Sequence, residues 1–367
     1  MGRLRHIPLI LRFRLAFGLF AIAASVVAGC RAPHASAPTI VFTTVPEAAE
    51  GGSERMMLIA GRVTGASDGQ RIVLFARSGT VWWVQPLTVQ PFTTIGSDTT
   101  WTNQTHLGVE YAALLVDQSY QPRPTIATLP AVGGPIVAVA TVPGRGTIAR
   151  AAAKTVQFSG YEWEVRQTPS NRGGDNVYDG ANAWVDASGH LHLRIARRGD
   201  DWTSAEVNLT RSLGYGTYAF VVRDTTQLDP AAAFSMITWD NLGSDQNHRE
   251  IDIEISRWGD PANKDAQYLI QPYYVPANVF RFALPAATLT HAFRWEPGRV
   301  SFKTTRAAAA GAGASAAPRV VATRDFVSGV PSAGGELLRI NLYVFRYAAA
   351  PLRNEAEVVL EKFEYLP

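Results

Sequence analysis

Residues 248–255 read His248-Arg249-Glu250-Ile251-Asp252-Ile253-Glu254-Ile255, acid alternating with isoleucine at a strict period of two. In an extended strand, successive side chains point to opposite faces. Ile251, Ile253 and Ile255 therefore share one face, which belongs in a core. Glu250, Asp252 and Glu254 share the other. Three carboxylates in a row, with no base between them, repel one another, so the row calls for an explanation. Three readings follow from spacing alone. The acids form a solvated polar face, they bind a hard cation such as calcium, or they perform acid/base chemistry. The last has a geometric basis. Four residues of strand separate the Glu250 and Glu254 Cα atoms by roughly 13 Å. Side chains leaning inward by about 4 Å each leave about 5–6 Å between carboxyls, near the separation that suits retaining glycosidic chemistry.

The rest of the chain reads as strands in the same way. From Thr39 to about Val142, short segments rich in Val, Ile, Trp and Tyr are separated by Gly, Ser, Asp and Pro clusters. Met57–Val63, Arg71–Ala76, Thr80–Gln85, Leu107–Val116 and Ile136–Thr141 are the expected strands, and their spacing predicts a small, Ig-like β-sandwich over 39–142. Residues 143–155 (PGRGTIARAAAKT from Pro143) read as a linker. From Val156 to the end the strand pattern resumes, as in Ala183–Val185, His190–Ala196, Tyr215–Val222, Phe234–Trp239, Glu250–Ile255, Ala266–Tyr273, Ala292–Trp295, Val300–Lys303 and Leu337–Phe345. A β-rich stretch of that length predicts one large sandwich over 156–367. Arg306–Pro318 (RAAAAGAGASAAP) reads as a flexible loop inside it.

Composition narrows the function classes. The chain has 367 residues, 47% hydrophobic and 18% charged, enough apolar residue for a substantial core. Its formal charge of +3 includes Arg3, Arg5, Arg12 and Arg14. These precede an apolar run, Leu15–Gly29, that is too short to span a bilayer and reads as a secretory signal over 1–29. Without those four Arg, 30 basic residues face 31 acidic ones, which is no electrostatic footprint for nucleic acid. The signal ends in Val27-Ala28-Gly29-Cys30, which resembles the lipobox of bacterial lipoproteins, and Cys30 is the single cysteine. The expectation is an exported protein lipidated at Cys30, held to the cell envelope by a Pro/Ala tether over 30–38. One cysteine excludes a disulfide framework and a Cys-pair zinc site. Gly144–Ala149 (GRGTIA) fits a dinucleotide fingerprint only formally, without the surrounding βαβ unit, so no nucleotide is expected.

The EIDIE core of the acid strand is similar to the signature of family 16 glycoside hydrolases. These are the β-jelly-roll enzymes that include lichenases, laminarinases and xyloglucan transglycosylases. The resemblance extends over roughly 156–367. Asn182–Ile195 (NAWVDASGHLHLRI) looks like the family's strand, turn and strand. Ala205-Glu206-Val207 with Leu213–Tyr218 (LGYGTY) resembles the stretch leading into its YG turn. Phe234–Asp240 (FSMITWD), Gln267–Tyr274 (QYLIQPYY), Thr290–Phe302 (THAFRWEPGRVSF), Arg339–Tyr343 (RINLY) and Glu357–Tyr365 fit later strands. The resemblance implies an all-β, concanavalin A-like jelly-roll sandwich behind the small sandwich. It also implies an endo-acting, β-glucanase-like glycosidase or transglycosylase that works with retention. Carried over by position, Glu250 is the nucleophile, Asp252 its helper and Glu254 the general acid/base. The plain ExDxE spacing is typical of lichenase-like and xyloglucan-acting members. RINLY lacks the Trp that usually follows its Asn closely, and Phe345 is the expected stand-in. No redox or nucleotide cofactor is expected, and a structural calcium stays open.

Pyranose C–H faces stack on aromatic rings. Trp239, Trp258 and Tyr273 are therefore the candidate platforms for a polysaccharide, with Gln271 to hydrogen-bond a sugar hydroxyl or Glu254. His248, two residues before Glu250, is a candidate at the groove. His190 and His192 lack a third metal ligand and read as turn polarity, His291 as a structural hydrogen-bonding residue. Trp82 and Trp83 must point to opposite faces of their strand. Two other functional classes compete with catalysis: a lectin-like surface lipoprotein that binds polysaccharide without cutting it, and a structural envelope protein that binds another protein.

Overall fold

The computed structural model describes residues 37–49, 56–146, 154–167, 176–199, 201–307, 317–345 and 352–367. The expected signal peptide, Cys30, most of the tether, the middle of the linker and most of the 306–318 loop lie outside these residues.

The N-terminal part is a two-sheet β-sandwich. One sheet holds Thr39–Thr44, Met56–Thr64 and Thr100–His106. The other centres on Arg71–Ser78 and Glu110–Val116, with Val81–Gln85 and Ile136–Pro143 outside them. Between the sheets lie Ile59, Val63, Ile72, Leu74, Trp101, Tyr111 and Leu115. A second apolar cluster, including Val73, Phe75, Trp82, Val84 and Leu114, covers the other face of the second sheet. That is why Arg71–Ser78 shows no polar alternation: both of its faces are buried. Trp82 is in this cluster and Trp83 is only partly buried. The expected strand Leu107–Val116 begins later, at Glu110. The polar segment before it, Thr100–His106, is a strand of its own, held by its ladder to Met56–Thr64 rather than by apolar content.

The C-terminal part is a jelly-roll sandwich in which one hydrogen-bonded path of largely antiparallel strands makes two layers, joined where Leu191–Arg198 pairs with Asp201–Leu209. In the first, the order is Val279–Phe282, Ala266–Ile270, Ile251–Ser256, Ala232–Trp239, Leu337–Val344, Asp201–Leu209. The second runs Leu191–Arg198, Ala356–Leu366, Gly216–Val222, Leu289–Glu296, Arg299–Arg306, Arg319–Phe326. One apolar core fills the space between them, and Ile251, Ile253 and Ile255 are in it. Aromatic contacts tie the sheets together: Tyr268 of the first stacks on Phe302 of the second with ring centroids 4.8 Å apart. Its hydroxyl donates to Thr304 Oγ1 at 2.6 Å. The expected strand Ala266–Tyr273 stops at Ile270, because Pro272 has no N–H for the ladder. Among the described residues no helix is long and apolar enough to cross a membrane.

His291 is a core residue, 1% exposed, with Nδ1 3.0 Å from Thr304 Oγ1. Burial pushes its pKa down to about 4, so it is neutral at physiological pH. His192 stacks on Trp184, with Nδ1 2.7 Å from Glu357 Oε1 and Nε2 3.1 Å from Asp186 Oδ2. His190 Nδ1 lies 3.5 Å from the same Asp186 oxygen.

Candidate active site

Antiparallel pairing fixes which residues share the face opposite the core. Partners directly across a ladder point the same way. One line across the first sheet runs Arg281, Gln267, Glu254, Ser235, Asn341, Glu206, one residue per strand. The neighbouring line carries Asp252 between Leu269 and Ile237. These residues, except Glu206, line a cleft of about 830 Å³, together with Glu250, Trp239, Trp258, Gln271, Tyr273, Tyr343, Phe345, Tyr178, Asn263 and Val279. The polar row of the sequence is therefore the floor of a cavity, not a solvated edge. Among the described residues no group of three or more His, Cys, Asp or Glu is disposed to hold a metal ion.

Glu250, Asp252 and Glu254 are 8%, 4% and 6% exposed. Gln271 Nε2 donates to Glu250 Oε2 at 3.1 Å. Glu254 accepts three hydrogen bonds: from Trp258 Nε1 at 3.0 Å and Gln267 Nε2 at 2.7 Å on Oε2, and from the Tyr343 hydroxyl at 2.9 Å on Oε1. Burial pushes the Glu254 carboxyl above the ordinary carboxylate range, against the opposing pull of those three donors and of the Arg281 charge. Burial and the adjacent Glu254 push the Tyr343 phenol well above its ordinary value, so it stays a neutral donor.

The predicted site residues take distinct places. Trp239 lines the cleft and is held from behind: its Nε1 donates to Asn241 Oδ1 at 2.9 Å, and His248 stacks on its ring at 4.4 Å and 7°. His248 is not among the lining residues. Period-two counting assigned it to the face of Glu250, but Asn247, His248 and Arg249 all have φ between 50 and 57°, and the parity rule fails across left-handed backbone. Thr238 restores the register: its hydroxyl donates to the Arg249 carbonyl at 2.7 Å and accepts from the Ile251 N–H at 3.1 Å. Trp258 also has positive φ, at 49°; its backbone N–H donates to Ser256 Oγ at 2.9 Å and its indole N–H to Glu254, while the Arg281 guanidinium lies 4.2 Å from its ring centre. Gln271 meets Glu250 rather than Glu254, and Gln267 takes the Glu254 contact. The register Glu254 opposite Gln267 decides this. Tyr273 stands at the rim, 66% exposed.

Tyr343, Gln267 and Arg281 were not singled out from sequence. A period-two signal was present in RINLY, where Asn341 and Tyr343 share parity, but nothing local says that this strand lies two places from the acids. Behind Asn341, Glu206 pairs with Arg166 at 3.1 Å, and that guanidinium lies 4.6 Å from the ring of the cleft residue Tyr178.

No family model matches the chain, and no curated protein matches it. Solved structures similar to it include a Bacillus licheniformis β-glucanase (14% identity, TM-score 0.45, covering 59% of this chain and 99% of that one). A β-1,3-glucanase from Mycobacterium marinum is 15% identical with a TM-score of 0.42, over 59% of this chain and 95% of that one. An immunostimulatory antigen and pseudo β-1,3-glucanase of Mycobacterium tuberculosis is 18% identical with a TM-score of 0.41, over 54% and 88%.

Proposed function

We propose that the jelly-roll unit is a retaining glycosidase or transglycosylase acting within a β-linked polysaccharide such as a β-glucan. The observation that carries this reading is the placement of Glu250, immediately ahead of the strand Ile251–Ser256, and Glu254, within it, both lining one cleft and both nearly excluded from water. In the first step a Glu250 oxygen attacks the anomeric carbon and the glycosidic C–O bond breaks. The Glu254 proton goes to the departing oxygen. In the second step the Glu254 carboxylate takes a proton from water, or from a sugar hydroxyl, as that oxygen displaces Glu250. Desolvation favours the protonated form of Glu254 that the first step needs. Asp252, between them, adds negative charge and a hydrogen-bonding group beside the nucleophile. Trp239 and Tyr273 offer ring faces for pyranose stacking. Lipidation at Cys30 would hold the enzyme at the cell envelope.

The test is a cleavage screen of the chain from Ala37 onward against mixed-linkage glucan, laminarin, xyloglucan, agarose and carrageenan, beside Glu250→Ala and Glu254→Ala. Products from the wild type alone, with folding unchanged in both variants, are expected. Full activity in either variant refutes the mechanism. Retention of a glycan by all three proteins, with no product from any, replaces it with the binding reading.

A further inference from the structure

The three donors on Glu254 differ in what they can do. An indole N–H and an amide N–H₂ only donate, whereas a hydroxyl donates or accepts. The amide orientation of Gln267 is itself fixed, because its Oε1 accepts from Arg281 Nε at 3.1 Å and a guanidinium cannot accept. Oε2 of Glu254 therefore has two donor-only groups on its two lone pairs, at 3.0 and 2.7 Å. A proton placed there would oppose an N–H. Oε1 faces a group that tolerates both protonation states, the Tyr343 hydroxyl.

We propose that Tyr343 is a positioning residue for Glu254, occupying one lone-pair direction of Oε1 so that the acid proton is carried on the other lone pair of that same oxygen. The inference rests on the reading of Glu254 as the general acid/base. Each neighbouring element supplies a defined group to this pair. Asp252 of the acid strand and Tyr178 act on Tyr343, Arg281 of Val279–Phe282 acts on Glu254, and Glu250, just ahead of the acid strand, lines the same cleft. Ala232–Trp239 and Ala266–Ile270 face it with Ser235 and Gln267, neither of which titrates. Tyr343 reaches Glu254 diagonally, since its direct ladder partner is Ala233.

The experiment is a carboxyl titration by NMR on protein labelled with ¹³C at the glutamate side-chain carboxyls, with Glu254→Gln identifying the resonance. In Tyr343→Phe one donor to the ionised form is lost, so the Glu254 midpoint should rise by about one pH unit, a tenfold gain in proton affinity. The basic limb of the pH–rate profile should move the same way. A packing role alone would leave the midpoint unmoved, and an unmoved or lowered midpoint overturns the proposal. If Tyr343→Phe does not fold, ¹³Cζ-tyrosine in the wild type reads the same link. The Tyr343 signal should shift as Glu254 titrates and should not shift in Glu254→Gln; a signal that ignores the titration overturns the proposal. The titration needs no substrate, so a wild type without turnover would defeat the proposed function while leaving the titration to decide the role of Tyr343.

Discussion

Acid should weaken the jelly-roll through one buried residue, His291. Its pKa in the folded protein is about 4, depressed by burial, against an ordinary value near 6.5 in the unfolded chain. The sign follows directly. The unfolded chain binds the proton first, so the group opposes folding below the unfolded value and its contribution is complete only above it. Stability is therefore lost as pH falls from about 6.5 through about 4. The two pKa values imply a loss of about 2 kcal/mol by pH 5 and about 3 kcal/mol by pH 4. For a unit of this size, 2 kcal/mol lowers Tm by roughly 4–8 °C. Other groups titrate in the same window, so the informative quantity is a difference. His291→Gln keeps a polar group beside Thr304, 3.0 Å away in the wild type, and removes the titration. Urea unfolding of both proteins between pH 7.5 and 4.5 should show the variant less stable at neutral pH and gaining on the wild type as pH falls, by about 2 kcal/mol at pH 5. Parallel stability curves would show that His291 accepts its proton in the folded core without penalty, and would refute the reasoning.

Other changes test the site and its support. Glu254→Gln should abolish turnover but gain stability relative to the wild type as pH rises, read as urea midpoints from pH 5 to 9. The raised folded pKa means that wild-type stability from this group is present at low pH and lost above it, whereas an amide can turn its oxygen to Trp258 and Gln267 and its N–H₂ to Tyr343. Ile253→Ala, at a fully buried position, should cost about 2–5 kcal/mol by the same assay, while a change of under 1 kcal/mol would mean that the Ile face is not core. Gly216→Ala should also destabilise measurably, because φ is 149° and a Cβ would meet the Tyr365 ring at 2.6 Å and the Leu366 carbonyl at 2.7 Å. If the proposed function holds, Trp239→Ala should weaken retention on the glycan that is cut, while His248→Ala, which removes the stacking on that ring and the Nδ1 contact with the Asp240 carbonyl at 2.8 Å, should have a smaller effect in the same direction.

The sequence by itself determined the all-β class, and the acid strand carried most of that reading. Period-two alternation is a local property: two neighbours on a strand must point apart, so the residues alone separate Ile251, Ile253 and Ile255 from Glu250, Asp252 and Glu254. The same rule separated Trp82 from Trp83. It misplaced His248 because left-handed backbone at residues 247–249 interrupts the alternation; Asn247 and His248 are residue types that favour that conformation, but type alone does not fix it. It passed over Thr100–His106 because a polar strand is held by its partners' backbones. Only the tertiary structure decided which distant residues meet the carboxylates. Tyr343 lies 89 positions from Glu254 in the chain and touches it because Leu337–Val344 pairs with Ala232–Trp239. Gln267 rather than Gln271 reaches Glu254 because ladder register, not composition, sets who is opposite whom. Alternation along one strand assigns faces, but strand order and register are global outcomes of packing two sheets around one core, and the chemistry of Glu254 depends on both.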